Sequence, residues 1–200
     1  MLTRFCVVGL FVLAPFTLIA QSSPSAEGPG ATAWVGMEMS TFNPDYGCFK
    51  NSPFSCWGNQ LFGITPYVTT KHFLFNRVGA EGEARFLHWR GPAKGFTESS
   101  YLAGPQVAIL RHRQFALSGK ALIGKARLTL PAGWFGAGTY FAFAPGVDLD
   151  YRLSKRLCLR GDYEYQVWPA FKGIATATTT GKGGLTPNGL SIGVSYAFLR

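Results

Sequence analysis

An eight-stranded antiparallel up-and-down transmembrane β-barrel is the fold class this sequence predicts, and three observations predict it. Several segments alternate apolar and polar residues with a period of two. The connections between them alternate in length, so that the short ones all fall at one end. An apolar leader marks the chain for export, while no later apolar run is long enough for a spanning helix.

The alternation is clearest over 157–168, LCLRGDYEYQVW. Leu159, Gly161, Tyr163, Tyr165 and Val167 hold the odd positions, and Arg160, Asp162, Glu164 and Gln166 the even ones. A helix would scatter the charged residues around its circumference, whereas a strand lines them on one face within reach of one another. Period alone leaves the sign open, because soluble and membrane barrels share it with the faces exchanged. The rest of the chain favours the membrane version, with the apolar row towards lipid.

Residues 1–20 read as a secretory signal peptide: Arg4 precedes an apolar run from Phe5 to Ile19, with cleavage expected after Ala20. Cys6 sits at the start of this run and leaves with it. Residues 21–32 form a small, polar, flexible segment, and 33–200 the barrel, a single domain without internal repeats or linkers. The chain is 15% aromatic and only 14% charged, with 25 Gly, which suits a glycine- and aromatic-rich barrel. A formal charge of +9 on an exported chain without a basic run longer than two argues for anionic headgroups rather than nucleic acid.

Strands are expected near 33–42, 60–73, 78–90, 98–111, 115–129, 139–153, 157–168 and 189–199. The connections 74–77, 112–114 and 154–156 are short; 43–59, 91–97, 130–138 and 169–188 are medium or long. Outer membrane barrels have short periplasmic turns and longer external loops. Apolar rows recur, as Val35, Met37 and Met39 against Gly36, Glu38 and Ser40, or Ala80, Gly82, Ala84 and Phe86 against Glu81, Glu83 and Arg85. Pro66, Pro105 and Pro145 fall inside strands and imply bulges or shifted boundaries. Aromatics gather towards strand ends: Trp34, Phe73, Phe115, Tyr151 and Tyr196 at the turns, Phe42, Trp89, Tyr101, Tyr140 and Trp168 at the loops. They are expected to form two lipid-facing girdles.

The polar rows place Glu38, Glu81, Glu83, Arg85, Lys120, Asp148, Asp150, Arg160, Asp162 and Glu164 inside the barrel. Eight strands leave a bore just wide enough for side chains, so these charges must pair. A salt-bridged polar plug is the expectation. Glu81 with Glu83, or Asp148 with Asp150, has the residue types of an acid and base pair, but plain alternation produces the same spacing. His72, His88 and His112 are dispersed rather than clustered as a metal site requires, and no nucleophile elbow, zinc-helix or phosphate-loop motif occurs. Neither a catalytic residue, a metal nor a cofactor is expected. Cys48 and Cys56 share the first long loop, where a disulfide would close it; metal binding is the alternative, without a second pair to complete a site. Cys158 is expected as a free thiol facing the interior near one end.

With its leader, eight alternating segments and closing stretch NGLSIGVSYAFLR, the chain resembles the small outer membrane barrels of the outer membrane protein A type. WVGMEMSTFNPDYG, GAEGEARFLHW and LRGDYEYQVWP also resemble barrel domains common in acidobacterial genomes. The resemblance implies that Leu190, Ile192, Val194, Tyr196 and Phe198 form the strand recognised by the barrel assembly machinery. Here Leu199 and Arg200 follow the aromatic Phe198 that such signals commonly end on. The chain closes on this strand without a peptidoglycan-binding domain, so an envelope-tethering role is not implied.

The expected function is that of a non-enzymatic integral outer membrane protein that supports envelope structure and presents external loops, with outer membrane lipids as its surroundings. Lipopolysaccharide or an external partner would meet those loops, where Trp57 and Trp134 either stand exposed or pack the loops together. The alternative is a narrow ion-permeable pore. A lipid-modifying enzyme or a soluble periplasmic ligand carrier is a weaker reading. The oligomeric state is left open.

Overall fold

In strands whose residues alternate in polarity, one face must leave water, and closing the sheet on itself satisfies every edge as well. The computed structural model describes residues 32–45, 61–74, 77–90, 95–173 and 183–199. It contains eight strands: β1 (Thr32–Asn43), β2 (Leu61–Leu74), β3 (Val78–Trp89), β4 (Thr97–His112), β5 (Phe115–Thr129), β6 (Gly138–Arg152), β7 (Leu157–Tyr165) and β8 (Asn188–Leu199). Each pairs antiparallel with its neighbours in sequence, and β8 pairs with β1 to close the barrel. The expected strands match within one residue at every boundary but the end of β7, which stops at Tyr165 rather than Trp168. Beyond it the chain continues as isolated bridges, Phe143 with Val167 and Trp168 with Leu185. The segment 1–20 expected to be a signal peptide, nearly all of 21–32, and both Cys48 and Cys56 lie outside the described residues.

Outward-facing rows are apolar around the wall, with Met37, Met39, Ile109, Leu110, Ile123, Phe141, Leu190 and Ile192 each more than half exposed. At nine to sixteen residues, the strands are as long as a tilted crossing of a bilayer requires. The inward rows are buried. The expected girdles need correction: Trp34, Phe42 and Trp168 point inward and are 5%, 0% and 1% exposed. In β1 the register sets Trp34 and Phe42 on the same face as Glu38 and Ser40, and parity outweighs nearness to a strand end. Trp89 and Tyr140 are half-buried against the interior clusters. Phe115, Tyr101 and Tyr196 do face outward, and Phe115 pairs with Tyr151 at 4.8 Å between ring centroids. The side chain of Phe73 is not among those described.

The prolines are accommodated differently from expectation. Pro66 pairs with Met37, Pro105 with Ala80 and Pro145 with Ala121, each in unbroken register. On the opposite side the ladders beside Pro66 and Pro105 break and resume in the same register, while the one beside Pro145 gives way to the isolated bridge of Phe143 with Val167. The missing donor therefore costs pairing with one neighbour only, and no bulge forms. The register shifts lie elsewhere, at Ala33/Trp34, between Thr70 and Leu74, and between Ala108 and Leu110.

So small a barrel needs strands that approach closely. At Gly104 an added Cβ would lie 2.1 Å from the carbonyl oxygen of Ala121, and at Gly124 2.0 Å from that of Tyr101, so β4 and β5 bend against each other there. Gly82 leaves a Cβ nothing nearer than 4.0 Å. Gly104→Ala is expected to lower the unfolding free energy by about 1–3 kcal/mol, while Gly82→Ala stays near wild type. Urea titration of the refolded protein followed by tryptophan fluorescence checks both.

A charged lumen as the candidate functional site

Inward alternation on β1, β3, β5, β6 and β7 brings all ten of the expected interior charges to the bore, each no more than 6% exposed. They meet in tiers along the axis. In the middle, Arg160 on β7 reaches Glu81 through Nη2 at 2.6 Å, Asp148 at 3.5 Å and Glu38 through Nε at 3.3 Å. Its guanidinium lies 4.4 Å from the centroid of the Tyr67 ring, a cation–π arrangement. Gln106 ties this tier together: its amide donates to Asp148 at 2.8 Å and accepts from Thr69 Oγ1 at 2.9 Å.

Lys120 on β5 holds the tier above. Its Nζ lies 3.0 Å from Glu81, 3.1 Å from Glu83, 3.1 Å from Asp162 and 3.4 Å from Glu164. Carboxylate oxygens of Glu83, Asp162 and Glu164 all fall within 4.8 Å of one another, which is a spacing that would suit a metal ion. The ammonium group of Lys120 already fills the role of the cation at that point. A lysine fits because three rotatable N–H donors on a compact charge can serve several carboxylates at once.

Towards the long loops, Arg85 on β3 bonds Glu164 at 2.5 Å and Glu83 at 2.9 Å, and its Nε donates to Thr65 Oγ1 at 3.1 Å. The guanidinium stacks 4.2 Å from the ring centroid of Phe42. Ser40 links this tier to the wall through Thr65 at 2.6 Å and Ser191 at 2.8 Å. Gln166 donates to Glu164 at 2.7 Å and accepts from Trp168 Nε1 at 2.8 Å, so the polar column ends on an indole.

Above Trp168 the interior changes character. Phe96, Leu102, Leu122, Leu128, Phe171 and Leu185 pack with Trp168 into a buried apolar cluster, while Phe42, Leu61 and Leu87 form another beside it. Trp134 rests edge-on against Phe96 at 5.5 Å and Tyr140 against Phe171 at 5.2 Å. Trp134 therefore packs the loops together, the second of the two roles open to it from sequence. At the short-turn end, Lys71 pairs with Asp150 and lies 5.5 Å from the Trp34 ring. Cys158 is a free, buried thiol there, in contact with the Tyr151 carbonyl.

Sequence reasoning missed Lys71 and Gln106 as members of the network. Both follow from parity: Lys71 shares the inward row of β2 with Thr65, Tyr67 and Thr69, and Gln106 that of β4 with Ser100 and Leu102, but the mixed character of these rows blurs the contrast with the outward side. His88 and His112 are exposed at opposite ends of the wall. Glu81 and Glu83 do not form an isolated acid and base pair, since Lys120 bridges them.

Pairing on this scale sets the cost of removing one member. Lys120→Met leaves four buried carboxylates without their shared cation and is expected to destabilise the barrel by about 3–5 kcal/mol. Adding Asp162→Asn should recover part of the loss, because one of the stranded charges is then gone. Denaturant midpoints of the single and double variants test this, and strictly additive losses would contradict it.

No protein-family model and no curated protein matches the sequence. Solved structures do match in fold. The crystal structure of neisserial surface protein A superposes with a TM-score of 0.59 at 14% identity, over 84% of this chain and 99% of that one. The outer membrane protein AlkL, determined by solid-state NMR in lipid bilayers, gives 0.52 at 13% identity over 90% and 95%. OprG, an outer membrane protein of Pseudomonas aeruginosa, gives 0.51 at 13% identity over 86% and 99%. The chain thus has the closed antiparallel eight-stranded fold of small outer membrane barrels.

Proposed function

We propose that this chain is a non-enzymatic integral outer membrane protein whose interior is a structural plug, and that its long loops face outward as its interaction surface. The observation that carries the reading is the lumen itself. Seven carboxylates and four cations meet in ion pairs through the bore, with side chains 0–16% exposed, and an apolar cluster closes one end. Side chains so paired across the bore support a plug rather than an open channel. The outward apolar band supports a lipid surrounding, since so much exposed apolar surface would be a liability in water.

The segments quoted above support kinship with the outer membrane protein A type of barrel and its acidobacterial relatives. Leu190, Ile192, Val194, Tyr196 and Phe198 all face outward on β8, which suits display to the barrel assembly machinery. Lipopolysaccharide or an external partner would meet the loops that cap the barrel.

A second reading is a narrow pore, favoured by one observation: the seven carboxylates outnumber Lys71, Arg85, Lys120 and Arg160, so a lumen that opened would select cations. Single-channel recording in planar bilayers separates the two, with insertion verified by the migration shift between unboiled and boiled samples. Silence from inserted protein is expected. Steady discrete openings that Arg160→Ala alters would overturn the plug in favour of the pore.

A further inference from the structure

The short-turn mouth of the barrel carries a charge pattern that the lumen does not. A cavity of about 200 Å³ opens there, and Lys71, Arg77, Arg111, Arg113, Arg152 and Lys155 line it. Asp150 is the one carboxylate among its lining residues, and Lys71 already pairs with it. The other five cations make no ion pair with any described carboxylate. Arg77 and Arg152 stand near enough to Arg111 for mutual repulsion. Bringing like charges together costs free energy unless an anion joins them.

Two backbone features build this arrangement. Along β4 the inward row runs Glu98, Ser100, Leu102, Gly104 and Gln106, and uninterrupted alternation would turn Arg111 outward. The register instead shifts between Ala108 and Leu110, so that Ile109 and Leu110 both face out at 60% and 61% exposure and Arg111 comes opposite Ala116 on the inward row. The bulge thus moves a guanidinium from the apolar face to the mouth. In the following two-residue turn, Arg113 adopts φ +52°, a left-handed conformation that glycine or asparagine would take at less cost.

We propose that this mouth is a binding site for a phosphate-bearing anion, either the headgroup of an anionic phospholipid or a free phosphate. Converging guanidinium groups match the several oxygens of a phosphate better than any single lysine does. The cavity exceeds the volume of one water several times, at roughly 30 Å³ for a water, so it admits a phosphate group while excluding a whole lipid. Acyl chains of a bound lipid would lie on the outward Ile109 and Leu110, next to the headgroup in the mouth. Lipid capture rests on the membrane reading above; binding of inorganic phosphate does not, so failure of one is distinguishable from failure of the other.

The test uses the full refolded barrel in zwitterionic bicelles, with folding verified by the migration shift. In one arm, native mass spectrometry measures retention of phosphatidylglycerol against phosphatidylcholine; in the other, phosphorus NMR line broadening measures binding of inorganic phosphate. Selective retention of phosphatidylglycerol assigns the site to lipid, and phosphate binding without lipid preference assigns it to the free anion. Arg111→Gln with Arg152→Gln should weaken whichever is bound by about tenfold or more. Arg111→Lys with Arg152→Lys should retain part of it, and Arg127→Gln, on the outward face, should leave it unchanged. Absence of both ligands, or equal binding by the glutamine variant, would overturn the proposal.

Discussion

Charge neutralisation inside a tube too narrow for bulk water is the constraint on which this structure depends. An isolated carboxylate away from solvent costs several kcal/mol, and seven of them are held in ion pairs within this bore. Lys120 resolves the densest part by placing one ammonium among Glu81, Glu83, Asp162 and Glu164. Arg160 and Arg85 extend the pairing below and above it, and share Glu81, Glu83 and Glu164 with the lysine. The carboxylates are thus bridges between cations on β3, β5 and β7, which ties opposite walls of the barrel across its axis.

The axis has a direction. The interior runs from a cationic mouth at the short turns, through the alternating tiers, to an apolar cluster under the long loops. Arg85 marks the last change, with carboxylates on one side of its guanidinium and the Phe42 ring on its face. Gln166 and Trp168 make the other junction, where an indole N–H closes the hydrogen-bonded column and its ring joins the apolar cap. Among the described residues, Phe96, Trp134, Phe171 and Leu185 outside the strands are held over the bore by that cap. A contact between Thr186 and Asp45 joins the loop after β7 to the end of β1.

Much of this was legible in the sequence because strand periodicity is two and a face is a matter of parity. Alternation in 157–168 placed Arg160, Asp162 and Glu164 on one side, and the structure sets all three in the bore. Where parity was masked, the reading failed. Nearness to strand ends points to Trp34, Phe42 and Trp168 as girdle residues, yet they sit on inward rows. Lys71 carries no such signal, since the residues that share its row are amphipathic.

What the sequence determined by itself was the strand set, their order and the facing of each regular row, all of which follow from local geometry and hydrophobic contrast. Which charges meet was decided only by the closed sheet. Arg85 and Glu164 are 79 residues apart, as are Glu81 and Arg160, and only register and strand tilt bring each pair to the same height. The bulge beside Ile109 is equally a tertiary decision, since nothing in the local alternation of β4 announces it. Local sequence chooses a face, whereas partners across a barrel are chosen by its shear.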